Sequence, residues 1–434
     1  MTRQKFRVDT REIPEKAILV GIDRGDAAWP LEESLAELER LTSTAGATVV
    51  HTMSQRLLAP NPRTFIGQGK AEELVDAVRS FDADVVIFDD ELSPSQQSNL
   101  EKLVGSPVKV IDRTALILDI FALHATSKEG RLQVKLAQNQ YLYPRLRGMW
   151  SHLAANRMGG GVGSRFGEGE SQLEVDRRLV RKRIGRIRAE LKDVASSRET
   201  QRKHRNETGV FRVALAGYTN AGKSSIMNRL TGSNVLAYDK LFATLDSTTR
   251  QLTLEDGHMV TLTDTVGFIQ KLPHSLVEAF KSTLDEIKEA DLILLVADVA
   301  AEQRDAQIGS VREVLGEIGA SDIPTVVVYN KIDLMRGERS LELAHLRELH
   351  PSAVFVSAAE GMGTDELLAR LGMEIRKQSC TMDVLIPYNE GRLVELAHKA
   401  CSITSESYTE QGTHIEMYVP QALAPRFERY SKES

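Results

Sequence analysis

The sequence predicts an α/β protein: a phosphate-loop GTPase domain with a mostly parallel sheet flanked by helices, an N-terminal α/β domain, a helical coiled hairpin and a small C-terminal α+β domain. Three observations carry that expectation. The segment Gly217 to Ser225 (GYTNAGKSS) satisfies G-x-x-x-x-G-K-[ST], between an apolar run (Phe211–Ala216) and a helical pattern (Ser225–Leu230). Strand and helix patterns alternate from about Ala17 to Leu123, as repeated βα units do. From Thr126 to Arg205 apolar residues recur at spacings of four and three, the seam of two packed helices.

At 434 residues the chain exceeds what one hydrophobic core supports. The expected domains are residues 1–124, 125–207, 208–376 and 377–434. A hydrophobic content of 41% with 27% charged residues is that of a globular protein. The net charge of −6 excludes a globally basic nucleic-acid binder, so any RNA contact must come from a local patch. Cys380 and Cys401 have no partner pattern and are expected as free thiols in a reducing compartment. No apolar run is long enough to span a bilayer and the first residues lack a signal-peptide core, so a cytoplasmic protein is expected.

In the N-terminal part, strands are expected at Ala17–Ile22, Ala47–Met53, Asp84–Phe88 and Val108–Ile111, and helices at Leu31–Leu41, Ala71–Ser80, Ser95–Val104 and Thr114–Leu123. Ser93-Pro94 reads as a helix start. The turn Gly67-Gln68-Gly69-Lys70 could hold an anion, but it lacks the dinucleotide fingerprint and reads first as a structural turn. Leu132, Leu136, Asn139, Tyr143, Leu146, Trp150 and Leu153 form one seam of the hairpin, with a kink expected at Pro144. Leu173, Val180, Ile184, Ile187, Leu191 and Val194 form the other, and Met158–Ser171 is expected to be a flexible glycine-rich tip between the helices. The second helix carries Arg177, Arg178, Arg181 and Arg183 among further basic residues, and the tip adds Arg165. These five arginines are the candidate contacts to an RNA backbone. Beyond the GTPase domain, a strand at Asp383–Ile386, a helix at Gly391–Ala400 and strands near Ile403–Tyr408 and His414–Val419 are expected.

The loop Gly217, Tyr218, Thr219, Asn220, Ala221, Gly222, Lys223, Ser224, Ser225 supplies backbone N–H groups and a helix N-terminus to the phosphates. Lys223 can reach the β- and γ-phosphates, and Ser224 can ligate Mg²⁺. Asp264-Thr265-Val266-Gly267 ends a strand pattern, with Asp264 placed to hold Mg²⁺ through water and the Gly267 N–H to meet the γ-phosphate. Asn330-Lys331-Ile332-Asp333 ends another, where Asp333 can accept from guanine N1–H and N2–H₂. Adenine offers neither donor, and a buried carboxylate left unpaired would reject it. Ser357-Ala358-Ala359 follows a third strand and offers a backbone N–H to guanine O6. All four segments in this order, each at a strand's C-terminal end, predict hydrolysis of GTP to GDP. Thr244, Thr248 and Thr249 are each candidates to close the Mg²⁺ shell. Phe268 stands where many GTPases place a water-orienting glutamine, so another group must act. Asn220 is suited to coordinate K⁺ between the β- and γ-phosphates, or to brace the loop.

FIGQGKAEEL, LSPSQQSNLE, VIDRTALILDIFALHATSKEGRLQVKLAQ, SQLEVDRR, GYTNAGKSS, LFATLD, DTVGFIQKLPHSLVEAF, NKID and IPYNEGRL together resemble the HflX family of ribosome-associated GTPases, over nearly the whole chain. The resemblance implies binding to the large ribosomal subunit and splitting of stalled or idle ribosomes, by a protein expected to be monomeric when free. It selects Thr244 within Phe242, Ala243, Thr244, Leu245, Asp246 as the second Mg²⁺ ligand, which makes Lys223, Thr244 and Gly267 the groups expected to act on the γ-phosphate. One departure is local: the family's tip resembles R-G-P-G-E, whereas Arg165–Glu170 (RFGEGE) is one residue longer and lacks the proline. Two other readings are a GTPase acting on a different RNA or in ribosome assembly, and a nucleotide-gated scaffold.

Replacing Asp333 by Asn tests the base reading. The amide matches the extra carbonyl of xanthine, so Asp333→Asn is expected to lose about 1–3 kcal/mol of GTP affinity and to favour xanthosine nucleotide. Titration with fluorescent analogues measures both, and unchanged GTP affinity would remove the assignment.

Overall fold

The computed structural model describes residues 14–25, 29–155, 166–206, 210–232, 241–242, 247–255, 257–271, 281–421 and 423–431. Their strands form three sheets. In the first, β1 (Lys16–Asp23), β2 (Thr48–Arg56), β3 (Val85–Phe88) and β4 (Lys109–Asp112) lie parallel in the order β2-β1-β3-β4. The helices between and after them are α1 (Leu31–Thr44), α2 (Gln68–Phe81), α3 (Pro94–Val104) and α4 (Arg113–His124). β1 and β3 are central and almost wholly buried, which explains why they read as unbroken apolar runs rather than alternating ones. Ser93 caps α3 as expected: its Oγ accepts from Gln96 N–H at 3.2 Å, and Gln96 Oε1 accepts from Ser93 N–H at 2.9 Å. At the Gly67 turn, the Gly67 N–H donates to Gln55 Oε1 (2.9 Å) and Lys70 pairs with Glu73 (2.6 Å). Two of the groups an anion could use there are thus engaged within the protein.

An ion network that the hydrophobic pattern did not reveal anchors this domain. Arg113 is 2% exposed; it donates through Nη1 to Glu37 Oε2 (2.7 Å) and through Nη2 to Asp89 Oδ1 (2.5 Å). It thereby ties α1, the end of β3 and the start of α4. Asp112 beside it is fully buried, caps Ala115 N–H (2.9 Å), and accepts from Leu92 N–H (3.0 Å) and Arg145 Nη2 (3.2 Å).

Arg145 lies on α5 (Lys128–Ala155), which continues past Pro144 without a break. Its partner α6 spans Phe166–Asn206. The expected seam is present where Leu132 and Leu136 pack with Ile187, flanked by Ile184 and Leu191. The expected tip needs correction. Residues 166–171 are the first turns of α6 rather than a loop, so two glycines did not stop the helix; acidic residues near a helix N-terminus offset part of their cost. Arg165 and the rest of the tip lie outside the described residues.

The second sheet has the order β10-β9-β8-β5-β7-β6. It is built from β5 (Phe211–Gly217), β6 (Thr248–Thr253), β7 (Met259–Asp264), β8 (Leu292–Asp298), β9 (Thr325–Asn330) and β10 (Val354–Phe355). Only β6 runs antiparallel to its neighbour. The accompanying helices are α7 (Lys223–Thr231), α8 (Lys281–Lys288), α9 (Arg304–Glu317), α10 (Ser340–Leu349) and α11 (Thr364–Lys377). The third sheet, order β11-β13-β12, is antiparallel: β11 (Ser379–Ile386), β12 (Ser402–Thr409) and β13 (Gly412–Pro420), with α12 (Gly391–Ala400) against it. Ile415, Met417 and Val419 of β13 are fully buried while Glu416 is exposed, so the expected alternation holds. Cys380 and Cys401 are free thiols. No described helix is long and apolar enough to cross a membrane.

Arg113→Met would leave Glu37 and Asp89 buried without their cation. A loss of about 3–5 kcal/mol is expected, read as a lowered urea midpoint with an unchanged slope. A midpoint within error of wild type would show that the network is energetically neutral.

Candidate nucleotide site

The site forms because the central strands all run the same way and end at one edge. β5, β7, β9 and β10 are mutually parallel or parallel through β8, so the four predicted segments emerge together at their C-terminal ends. A parallel sheet places its ligand there. The loop after β5 curls through Asn220 (φ 61°) and Gly222 (φ 91°) into the N-terminus of α7. Left-handed residues of this kind point backbone N–H groups into one concavity. Gly222 has a second reason to be glycine: a Cβ there would collide with Nδ2 of Asn330.

Asn330 joins the two ends of the site. Its Nδ2 donates to Ala221 O (3.0 Å) in the phosphate loop, and its Oδ1 accepts from Ala358 N–H (3.0 Å) in the base loop. The Ala358 amide, expected at guanine O6, is thus engaged by Asn330 in this structure, while Ala359 is exposed. Asp333 is half-buried, and its Oδ1 accepts from Ser357 Oγ at 2.5 Å, which orients the carboxylate. Lys331 has φ 67° and pairs with Asp298 at 2.8 Å, a partner that no local pattern signals. Ile332 is buried and donates to Val356 O (3.2 Å).

At the phosphate end, Lys223 is buried, with Nζ donating to Gly217 O and Tyr218 O, both at 3.0 Å. Burial pulls its ammonium down to about 8, against the opposing pull of the Asp264 carboxylate. Ser224 Oγ donates to Asp264 Oδ2 at 2.5 Å, so the two expected Mg²⁺ groups converge. A hydroxyl and a carboxylate brought together in this way suit a hard divalent cation. Thr265 is held inward by its hydroxyl bond to Leu215 O (2.7 Å). Phe268 is 2% exposed, and its N–H donates to Gly217 O (3.1 Å) while its carbonyl accepts from Thr219 N–H (2.7 Å). The Tyr218 hydroxyl accepts from Gln270 N–H at 2.7 Å. That bond joins two segments 52 positions apart, and no residue pattern announced it.

Leu241 and Phe242 are buried, but 243–246, including Thr244 and Asp246, lie outside the described residues. Thr248 and Thr249, the other candidates for the Mg²⁺-sensing threonine, belong to β6 and pair with Asp264 and Thr263. Thr249 Oγ1 lies 3.0 Å from Thr263 Oγ1. Of the RNA candidates, Arg178, Arg181 and Arg183 are exposed on α6 and Arg177 is half-buried. The Arg181 guanidinium lies 5.3 Å from the Tyr143 ring centroid.

The fold and the assembled loops define a P-loop GTPase. Three family profiles match in succession: "GTP-binding GTPase N-terminal" over residues 32–122, "GTP-binding GTPase Middle Region" over 124–205 and "50S ribosome-binding GTPase" over 212–331. The GTPase HflX of Lacrimispora saccharolytica is 45% identical over 96% of this chain and 96% of its own length. The GTPase HflX of Escherichia coli K12 is 44% identical over 88% of each. A solved structure of SsGBP in complex with GDP matches at 25% identity over 83% of this chain and 98% of that one, with a TM-score of 0.47. The chain belongs to the HflX family of GTPases.

The depressed Lys223 gives a pH signature. Bound phosphates hold the ammonium charged, so above pH 8 binding takes up a proton and affinity falls as pH rises. Below about 8 the lysine is charged with or without ligand, and its contribution is flat. Calorimetry with GDP in buffers of different ionisation enthalpy is expected to show more proton uptake at about pH 9 than at about pH 7.5. Equal uptake would mean that Lys223 has an ordinary lysine pKa.

Proposed function

We propose that this GTPase acts in the cytoplasm on the large ribosomal subunit, binding it in the GTP state and splitting or rescuing stalled or idle ribosomes. The observation that carries this reading is the pairing of a GTPase domain that matches the 50S ribosome-binding profile with a long helix bearing exposed arginines. Arg178, Arg181 and Arg183, with Arg177 beside them, would meet phosphates along one helix face. Arg165 would add to them from the tip. Chain-wide acidity does not oppose this, because phosphate contact depends on local cations and counterion release.

Within the nucleotide site, Ser224 and Asp264 are suited to hold Mg²⁺, Asp264 through water, with Thr244 as the second direct ligand. Mg²⁺ would supply charge neutralisation between the β- and γ-phosphates. The chain's own groups do the rest. The loop amides from Tyr218 to Ser225 bind phosphate oxygens, Lys223 spans the β- and γ-phosphates, and Gly267 N–H meets the terminal one. Val266, Thr265 and Phe268 shape that segment from the apolar side. A buried phenyl ring cannot hold a water for attack, so the orienting group comes from elsewhere. Asn220, exposed at the rim of the loop, is the residue we assign to K⁺, and the ribosome is the other source of such a group. On the base side Asp333 reads guanine, with Lys331, Ile332, Ser357, Ala358 and Ala359 around the ring.

Sedimentation of the protein with purified subunits and intact ribosomes tests the proposal, using GDP and a non-hydrolysable GTP analogue. Replacing Arg177, Arg178, Arg181 and Arg183 with Gln is expected to weaken subunit binding. The slope of log affinity against log salt should become shallower by up to about 0.7–0.9 for each phosphate that an arginine no longer neutralises. Binding to a different RNA with no subunit preference would redirect the function, and wild-type behaviour of the variant would reduce α6 to a spacer.

A further inference from the structure

The outer face of the C-terminal sheet carries a side-chain cluster that the nucleotide chemistry does not use. β13 is the central strand, and its alternation turns Ile415, Met417 and Val419 into the core, so that His414 and Glu416 share the opposite face. The antiparallel register sets Asp383 of β11 directly across from Glu416, and Leu385 across from His414. Asp383 is therefore opposite one of these residues and diagonal to the other, at separations that long side chains bridge. On the third strand, Ser405 and Ser407 are paired with Glu416 and His414.

The side chains converge. A carboxylate oxygen of Asp383, one of Glu416 and a ring nitrogen of His414 all lie within 4.8 Å of one another. His414 Nε2 meets Asp383 Oδ1, and the other ring nitrogen, Nδ1, lies 3.5 Å from Ser407 Oγ. Glu416 is exposed, and its carboxylate has no hydrogen-bond or ion-pair partner among the described residues. Two carboxylates directly opposite on a sheet repel each other, and among the described residues no lysine or arginine pairs with either. A cation between them would remove that repulsion.

We propose that Asp383, His414 and Glu416 form a binding site for a divalent transition ion, with Zn²⁺ the ion these ligands suit best. One imidazole nitrogen with two carboxylate oxygens is a borderline set. Mg²⁺ and Ca²⁺ prefer oxygen alone, and a thiolate-seeking ion finds no sulfur there, since Cys380 and Cys401 pack with the core on the other face. Zn²⁺ takes such nitrogen and oxygen ligands at about 2.0–2.2 Å, which sets neighbouring ligand atoms roughly 3–4 Å apart. Side-chain rotation is enough to bring the three atoms to that spacing. Two carboxylates and a neutral imidazole balance the charge of the ion, and the fourth position faces solvent. Ser407 Oγ lies on the side where a ligating imidazole keeps its remaining proton. Because the ligands come from two paired strands, the ion ties β11 to β13 from the face opposite the core.

Equilibrium dialysis of the full chain against Zn²⁺, with Mg²⁺ and GDP in excess to fill the nucleotide site, tests the proposal by elemental analysis of the bound metal. Wild type is expected to hold a zinc ion that Glu416→Gln and Asp383→Asn bind at least about tenfold more weakly, since losing even a hydrogen-bond partner of a ligand costs about 10–100-fold. Glu416 is exposed, so its variant keeps the fold. Amide exchange within β11 and β13 should slow when Zn²⁺ is added to wild type and stay unchanged in Glu416→Gln. Co²⁺ in place of zinc should give ligand-field bands without a thiolate charge-transfer band. Equal zinc binding in wild type and both variants overturns the site. Loss of the zinc in Cys380→Ser, with Glu416→Gln unaffected, overturns it too. The nucleotide site, on another sheet, stands under either result.

Discussion

The side-chain amide of Asn330 fixes the distance between the two halves of the nucleotide site. One end of it is bonded to the phosphate loop at Ala221 and the other to the base loop at Ala358. Both bonds are buried with it, at 2% exposure, and a buried amide with both ends satisfied is costly to disturb. Ligand chemistry then depends on that spacing. The start of α7 and the loop that carries Asp333 are thereby held a set distance apart. The arrangement requires Gly222, because no side chain fits between the loop and Asn330.

Around this staple the rest of the site is held by further hydrogen bonds. Lys223, Asn330, Ser357 and Asp333 are tied by hydrogen bonds to strand ends or to each other. The segment after Asp264 is tied too, to the phosphate loop, by bonds that join Phe268 and Gln270 to Gly217, Tyr218 and Thr219. Its hydrophobic member, Phe268, is buried.

The N-terminal domain is held differently. Its sheet buries apolar strands, yet the joint between α1, β3 and α4 is ionic, with Arg113 between Glu37 and Asp89. Arg113 sits within the stretch VIDRTALILDIF, so part of that signature is structural rather than catalytic. Arg145 extends the same polar centre to α5 by its bonds to Asp112 and Leu92. The basic face of α6 is different again: Arg178, Arg181 and Arg183 are exposed to solvent.

Much of this was legible in residue order. The phosphate-loop motif, the Asn330–Asp333 motif, the βα alternation of the first domain and the hairpin seam are all local patterns. They are set by steric and hydrogen-bonding rules that act over a few residues. Strand β8 is not marked in that way although its run Leu292–Val296 is wholly buried, because a short apolar run has no period. The glycines of 166–171 suggest a loop, and the helix includes them because propensity is a weak term beside the long, strongly helical remainder of α6. That Thr248 and Thr249 lie in a strand shows only when β6 is seen paired with β7. Tertiary structure alone decided the long-range polar contacts: Asn330 to Ala221, Lys331 to Asp298, Arg113 to Glu37, and Tyr218 to Gln270. Each joins groups many positions apart, and sequence carries the identity of such partners without their distance. Hydrogen bonds act within about 3 Å, and only the folded chain determines which groups come that close.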